Sequence, residues 1–178
     1  MIENIITYLQ FIFFRKKVKL APREKEFTSF DNAKSVGIVC YVDELHEWEL
    51  IQKIIAEFQA NKATVNVFGI YTGKIIPSWC SNTIYVKLFS EKKYKLFPIP
   101  SGQYITDFID TKFDLLINLS LSDKFLPLYI SAVSKAKFKI AIESPKNMEH
   151  FDMFIRLENP EIKEYVDQLM HYLSKIKI

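Results

Sequence analysis

Glycine is scarce in this chain of 178 residues, which carries only 4, alongside 2 cysteines, 3 histidines and 2 tryptophans. So few glycines exclude collagenous or low-complexity structure and leave little material for the loops that cradle phosphates. Cys40 and Cys80 form no C-x-x-C pair and no metal-spaced cluster. Cys40 lies inside the apolar run 36–42, where a thiol behaves as a small hydrophobe, so cysteine usage suggests a reducing cytoplasm. The chain also lacks any uncharged apolar stretch of about 18 residues, the minimum for a membrane-spanning helix. What remains is ordinary for one globular domain, 49% apolar and 25% charged, with 15 Phe and 9 Tyr spread along the chain as core filling.

Charge is unevenly placed. The formal net charge is +3, but residues 1–26 hold 6 basic and 3 acidic groups while residues 27–178 hold 18 of each. The excess sits at an N-terminal arm in which the apolar stretch 5–14 is followed by Arg15, Lys16, Lys17 and Lys19. A secretory signal places its charge before the apolar stretch, the reverse of this order. Ten residues span about 15 Å as a helix, roughly half the hydrocarbon thickness, so the arm is too short to cross a bilayer but can lie on one. Glu3, Thr7, Gln10 and Lys17 recur at helical spacing and fall on one narrow stripe, leaving the rest of the surface apolar. Two uses are open: packing on the body of the domain, a second copy or a protein partner, or lying on a membrane surface at its cytoplasmic side. Phe11, Phe14, Arg15, Lys16 and Lys17 are the candidate contacts for either. No basic face with interleaved aromatics occurs elsewhere, so no nucleic-acid partner is expected.

The arm and a polar linker containing Pro22 occupy residues 1–33, and a single domain fills 34–178. Runs 36–42 and 64–71 are continuously apolar or β-branched, and between them Leu45, Trp48, Ile51, Ile54, Ile55 and Phe58 recur at helical spacing. Strand, helix, strand, with strands apolar on both faces, predicts a parallel pair joined by a crossover. The pattern repeats as strand 113–119, helix 124–134 and strand 137–142. A shorter strand at 83–88 and a helix at 103–109, capped by Ser101 after Pro98 and Pro100, lie between the halves. Strand 152–157 leads through Pro160 into a closing helix, 161–175. Asp43 is the expected cap of the first helix, and Ser122 or Asp123 of the one after strand 113–119. The predicted fold is an α/β, Rossmann-like three-layer sandwich with about six mostly parallel strands and an extra N-terminal helix.

Chemistry is thin on this frame. The first strand-to-helix turn reads Val42-Asp43-Glu44-Leu45-His46-Glu47, without glycine and rich in carboxylates, which repel a pyrophosphate. Gly69 and Gly73 precede Lys74, but their spacing is wrong for a phosphate loop and no hydroxyl residue follows. The histidines are scattered, so no metal is called for, nor is any other cofactor. Ligands of open α/β sheets bind beyond the carboxyl ends of the strands. That edge would present Asp43, Thr72, Asn118, Ser120, Asp123 and Glu143, the candidate ligand-binding residues, with no pair whose spacing compels a catalytic mechanism.

The segment Phe113-Asp114-Leu115-Leu116-Ile117-Asn118-Leu119-Ser120, its following helix, and Ser134-Lys135-Ala136-Lys137 before the next strand resemble the N-terminal lobe of heptosyltransferase-type glycosyltransferases over about thirty residues. That resemblance implies an α/β fold and a sugar or sugar-phosphate ligand. The family's glycine-rich first turn and second lobe have no counterpart, which favours a non-catalytic binding or scaffold module over an autonomous transferase. The whole chain, arm included, is similar to a family of single-domain Bacteroidetes proteins of unknown activity.

Overall fold

Runs that are apolar on both faces can only be satisfied in the middle of a sheet covered by helices on each side. The computed structural model describes residues 2–19, 21–80, 83–94 and 100–175. Among them are six strands: β1 (Ser35–Tyr41), β2 (Thr64–Tyr71), β3 (Val86–Ser90), β4 (Leu115–Asn118), β5 (Phe138–Ile142) and β6 (Met153–Ile155). All pair in parallel, in the order β3-β2-β1-β4-β5-β6. The α-helices are α1 (Ile2–Lys19), α2 (Leu45–Ala60), α3 (Gln103–Asp110), α4 (Phe125–Val133) and α5 (Ile162–Lys175). The expected Rossmann-like sandwich with its added N-terminal helix is therefore the architecture of the chain.

Strand alternation sorts the core into two layers. Val36, Ile38 and Cys40 of β1 join Ile51 and Phe58 of α2 and Tyr165 and Leu169 of α5 on one face. Val39, Phe68 and Leu116 join Phe108 of α3, Ile130 of α4 and Phe14 of α1 on the other. The predicted linker is tied to the body: Phe30 packs on Phe58 with ring centroids 4.7 Å apart. Arg23 donates both Nη2 bonds to the carboxylate of Asp152 at 2.6 Å and an Nη1 bond to the Lys137 carbonyl at 2.6 Å.

Three capping expectations are corrected. The N-cap positions of α2, α3 and α4 are Glu44, Gly102 and Lys124, each without a side-chain capping bond. Asp43 is drawn away from the helix by Thr72, and Ser122 and Asp123 belong to the loop before α4. Gly102 adopts φ +143°, a conformation that a serine would occupy only under strain, so the chain turns into α3 there and not at Ser101. Pro98, and the side chains of Glu3 and Thr7 on the proposed polar stripe, lie outside the described residues.

Gly37, midway along β1, faces Phe113 and Leu116, and a Cβ built on it would sit 2.7 Å from Leu116 Cδ1 and 2.8 Å from Phe113 Cδ2. Its lack of a side chain is what lets these two residues close over the central strand. Gly37→Val is expected to lower unfolding stability by about 1–3 kcal/mol through overpacking, measured by urea titration, while Gly102→Ala perturbs only the α3 end.

Candidate functional site

The order of strands reverses between β1 and β4, since the chain leaves β1 toward β2 and leaves β4 toward β5. Such a switch point opens a crevice outside the carboxyl ends of the strands. Here it is a cavity of about 250 Å³ lined by Tyr41, Asp43, Glu47, Ser120, Ser122 and Lys124, among others. Two of the predicted ligand residues, Asp43 and Ser120, line it, and two more, Thr72 and Asn118, are hydrogen-bonded to them. Asp43 Oδ1 accepts bonds from the Thr72 backbone N–H at 2.8 Å and the Thr72 hydroxyl at 2.9 Å, locking the ends of β1 and β2 together. Asn118 is buried, and its Oδ1 accepts from the Ser120 N–H at 3.0 Å. Ser120 donates its hydroxyl to the Ser122 carbonyl at 3.0 Å, and Tyr165 donates to the Asn118 carbonyl at 2.8 Å.

The other two predicted ligand residues lie apart. Glu143 faces Arg156, which donates to both carboxylate oxygens, and this partner holds the Glu143 carboxyl below its usual range. Asp123 lines a different cavity beside α1, where Lys146 Nζ reaches its carbonyl at 3.4 Å. Tyr41 and Lys124, which line the crevice, were not anticipated. An aromatic hydroxyl closing a buried strand at its carboxyl end, and a lysine at a helix start, are the signals that mark them.

The crevice is negatively biased. Burial, followed by repulsion from Glu44, pushes the Glu47 carboxyl above its ordinary value. Burial and the neighbouring Glu91, which accepts the Tyr41 hydroxyl at 3.3 Å, push the Tyr41 phenol up as well. The Lys124 ammonium sits 4.2 Å from the Tyr41 ring centroid, partly offsetting Asp43, Glu44 and Glu47. Carboxylates thus occupy the place where a dinucleotide fold offers bare N–H groups to phosphate. Cys40 and Cys80 are both free, buried thiols, and burial pushes Cys80 up to about 11, so neither is an activated nucleophile. Among the described residues no three His, Cys, Asp or Glu side chains converge as a metal site.

The arm makes a second site. Phe14 turns inward and is buried, its ring 6.1 Å from Phe125, 6.4 Å from Tyr129 and 5.1 Å from His150. It anchors α1 to α4 and does not belong to the exposed side of the helix. Gln10 and Val18 lie on this docked side, and with Phe14 they border a groove of about 890 Å³ between α1, the start of α4 and the 145–150 loop. Tyr8, Leu9, Phe11, Ile12 and Phe13 are exposed, as are Arg15, Lys16 and Lys17.

Beneath α4 lies a buried amine. Lys139 on β5 is almost fully enclosed and donates Nζ to the Ala132 carbonyl in the last turn of α4 at 2.8 Å. Burial, helped by the Arg23 charge, lowers its pKa to about 7, against the opposing pull of Asp152. Burial alone would raise the Asp152 carboxyl, but the Arg23 fork and the Lys139 N–H hold it below its usual value. Burial likewise lowers His150.

Residues 8–176 match the model of a family of unknown function, DUF6913, and the chain belongs to that family. No curated protein and no solved structure matches it. The match carries neither the Bacteroidetes origin nor the heptosyltransferase likeness, so the latter rests on the quoted segment alone.

Two outcomes are expected from these contacts. Asp43→Ala strands the Thr72 N–H and should cost about 1–2 kcal/mol in unfolding stability, with Asp43→Asn, which keeps an acceptor, costing less. The Lys139 amine holds its proton less tightly folded than unfolded. Stability should therefore rise with pH between about 7 and 10.5 and lose that contribution as pH falls through 7. Urea titrations at two pH values two units apart in this window should show a gain approaching about 2–3 kcal/mol, absent in Lys139→Met. Asp152 and His150 titrate below this window and do not confound the comparison.

Proposed function

We propose that this member of the family is a non-catalytic α/β module held at an anionic membrane surface, on its cytoplasmic face, by the outer side of α1. The observation that carries the reading is the outward face of that helix. Leu9, Ile12 and Phe13 are 38%, 44% and 42% exposed although the helix is docked, and Tyr8 more so. Apolar side chains at such density on one helix, ending in Lys16, Lys17 and Lys19, suit the boundary between headgroups and acyl chains. Among the described residues no helix is long and apolar enough to cross a membrane, so attachment would be in the plane of the interface. The like charge of the basic turn disfavours a second copy or another basic partner as the cover and favours an anionic one.

The switch-point crevice supports the non-catalytic half of the reading. Asp43, Asn118 and Ser120 are committed to Thr72, Ser120 and Ser122, which leaves them as tethers of the strand ends. The alternative, a sugar or sugar-phosphate binding domain or enzyme, has the polar strand ends in its favour. The small cavity and its three carboxylates weigh against a phosphorylated ligand.

Vesicle flotation tests attachment. The full chain should float with phosphatidylglycerol-containing vesicles and not with phosphatidylcholine alone, and should be released by salt, since each basic residue near an anionic surface contributes about 1 kcal/mol. Ile12→Ser with Phe13→Ser should reduce flotation by about tenfold while leaving the melting temperature unchanged, because both positions are exposed. Unchanged flotation, or a drop from dimer to monomer in the variant, would replace the membrane by another contact.

A further inference from the structure

We infer that the groove between α1 and the body is a binding site for a single-chain amphiphile with a monoanionic head, of the class of a long-chain fatty carboxylate. Among the described side chains of α1, the buried Phe14 and the partly buried Val18 pack into the core of the body. Beside that anchor the helix and α4 do not close on each other, and the gap of about 890 Å³ lies within the range of small-molecule pockets. The groove is partly open to solvent, and a tail laid in it would take its apolar lining out of water.

The lining is apolar where a tail would lie, with Phe11 and Phe14 facing Phe125 and Leu128. It is cationic at the rim, with Arg15 and Lys19 at the carboxyl end of α1 and Lys146 across the groove. Among the described residues none of these three cations forms an ion pair: the Arg15 guanidinium lies 4.6 Å from the Phe11 ring centroid and Lys146 reaches only the Asp123 carbonyl, so neither charge is neutralised by a carboxylate. Asp123 and Glu149 also line the groove, leaving an excess of one positive charge, which matches a head of one negative charge better than a dianionic phosphate. From Gln10 to Lys19 the groove follows α1 for about 14 Å, so an extended acyl chain could lie along the helix with its head toward the basic end.

Ile12 and Phe13 of the outward face do not line the groove, so substitutions there test the membrane reading independently of this one. Purified full-length chain should bind a dansyl-labelled undecanoic acid below its micellar concentration in a saturable, one-to-one titration, and unlabelled palmitate should displace it. The corresponding methyl ester, lacking the charge, should compete at least about tenfold more weakly. Leu128→Trp, which fills the gap, and Arg15→Glu with Lys146→Glu, which reverses the exposed rim, should each weaken binding by about tenfold or more. The rim variant covers the case in which the tryptophan disturbs folding. Ile12→Ser with Phe13→Ser should leave fatty-acid binding intact whatever it does to vesicle flotation. Non-saturable uptake, equal competition by the ester, wild-type affinity in the rim variant, or a dimer that Leu128→Trp converts to monomer would each overturn the assignment.

Discussion

The middle strand, β1, is buried on both faces and paired along both edges, and everything else in the molecule is arranged to keep it so. Its residues Val36, Ile38, Val39 and Cys40 are essentially inaccessible to water. A strand of this kind cannot belong to a half-solvated antiparallel sheet, because each face needs its own covering layer. Parallel pairing with β2 and β4 follows, and crossover helices then supply the two layers as a by-product of the connections. Gly37 is where this constraint is tightest, since Phe113 and Leu116 close over the strand at the place its side chain would have been.

Burying the strands this way leaves only their ends for polar chemistry, and the carboxyl ends are already occupied by mutual bonds. Asp43 to Thr72, Asn118 to Ser120 and Tyr165 to the Asn118 carbonyl form short links among β1, β2, β4 and α5. Each satisfies a group that would otherwise carry a desolvation cost of about 1–3 kcal/mol. A nucleotide-binding relative of this topology would keep backbone N–H groups and glycine at the first turn free for phosphate. Here the turn is acidic, so the same topology is used with its customary ligand position chemically inverted.

The sheet was readable from the chain because its strands are apolar runs of the right length and its helices keep a regular spacing. Residues 36–42 anticipate Ser35–Tyr41 to within a residue, and 64–71 coincides with Thr64–Tyr71. Caps were less readable, because the same Asp or Ser can bond a helix or a neighbouring strand end. Asp43 finds Thr72, 29 residues away, and nothing local in the sequence announces that partner. Proximity across the sheet edge was hidden for the same reason: Ser120 and Asp43 meet at one crevice, whereas Glu143, beyond the next strand over, is taken by Arg156. Lys139 shows the limit most sharply. It reads as one more lysine before an apolar run, and only the stacking of α4, β5 and the Arg23 strap makes it a buried amine.

The arm divides its apolar surface between a buried and an exposed side, and the division is set by helix geometry. Phe14 and Val18, four residues apart, share the stripe that meets α4, while Leu9, Ile12 and Phe13 fall on the opposite side. Had the helix existed only to complete the core, a polar outer stripe would have been the stable choice in water, because exposed leucine, isoleucine and phenylalanine gain nothing there. Gln10, one of the few polar residues of the arm, instead borders the inner groove. The arm therefore carries apolar side chains on its exposed side as well as on the side that meets α4, unlike a helix that merely caps a domain. That exposed apolar side, together with a basic final turn on an otherwise neutral body, sets the arm apart chemically from the rest of the chain.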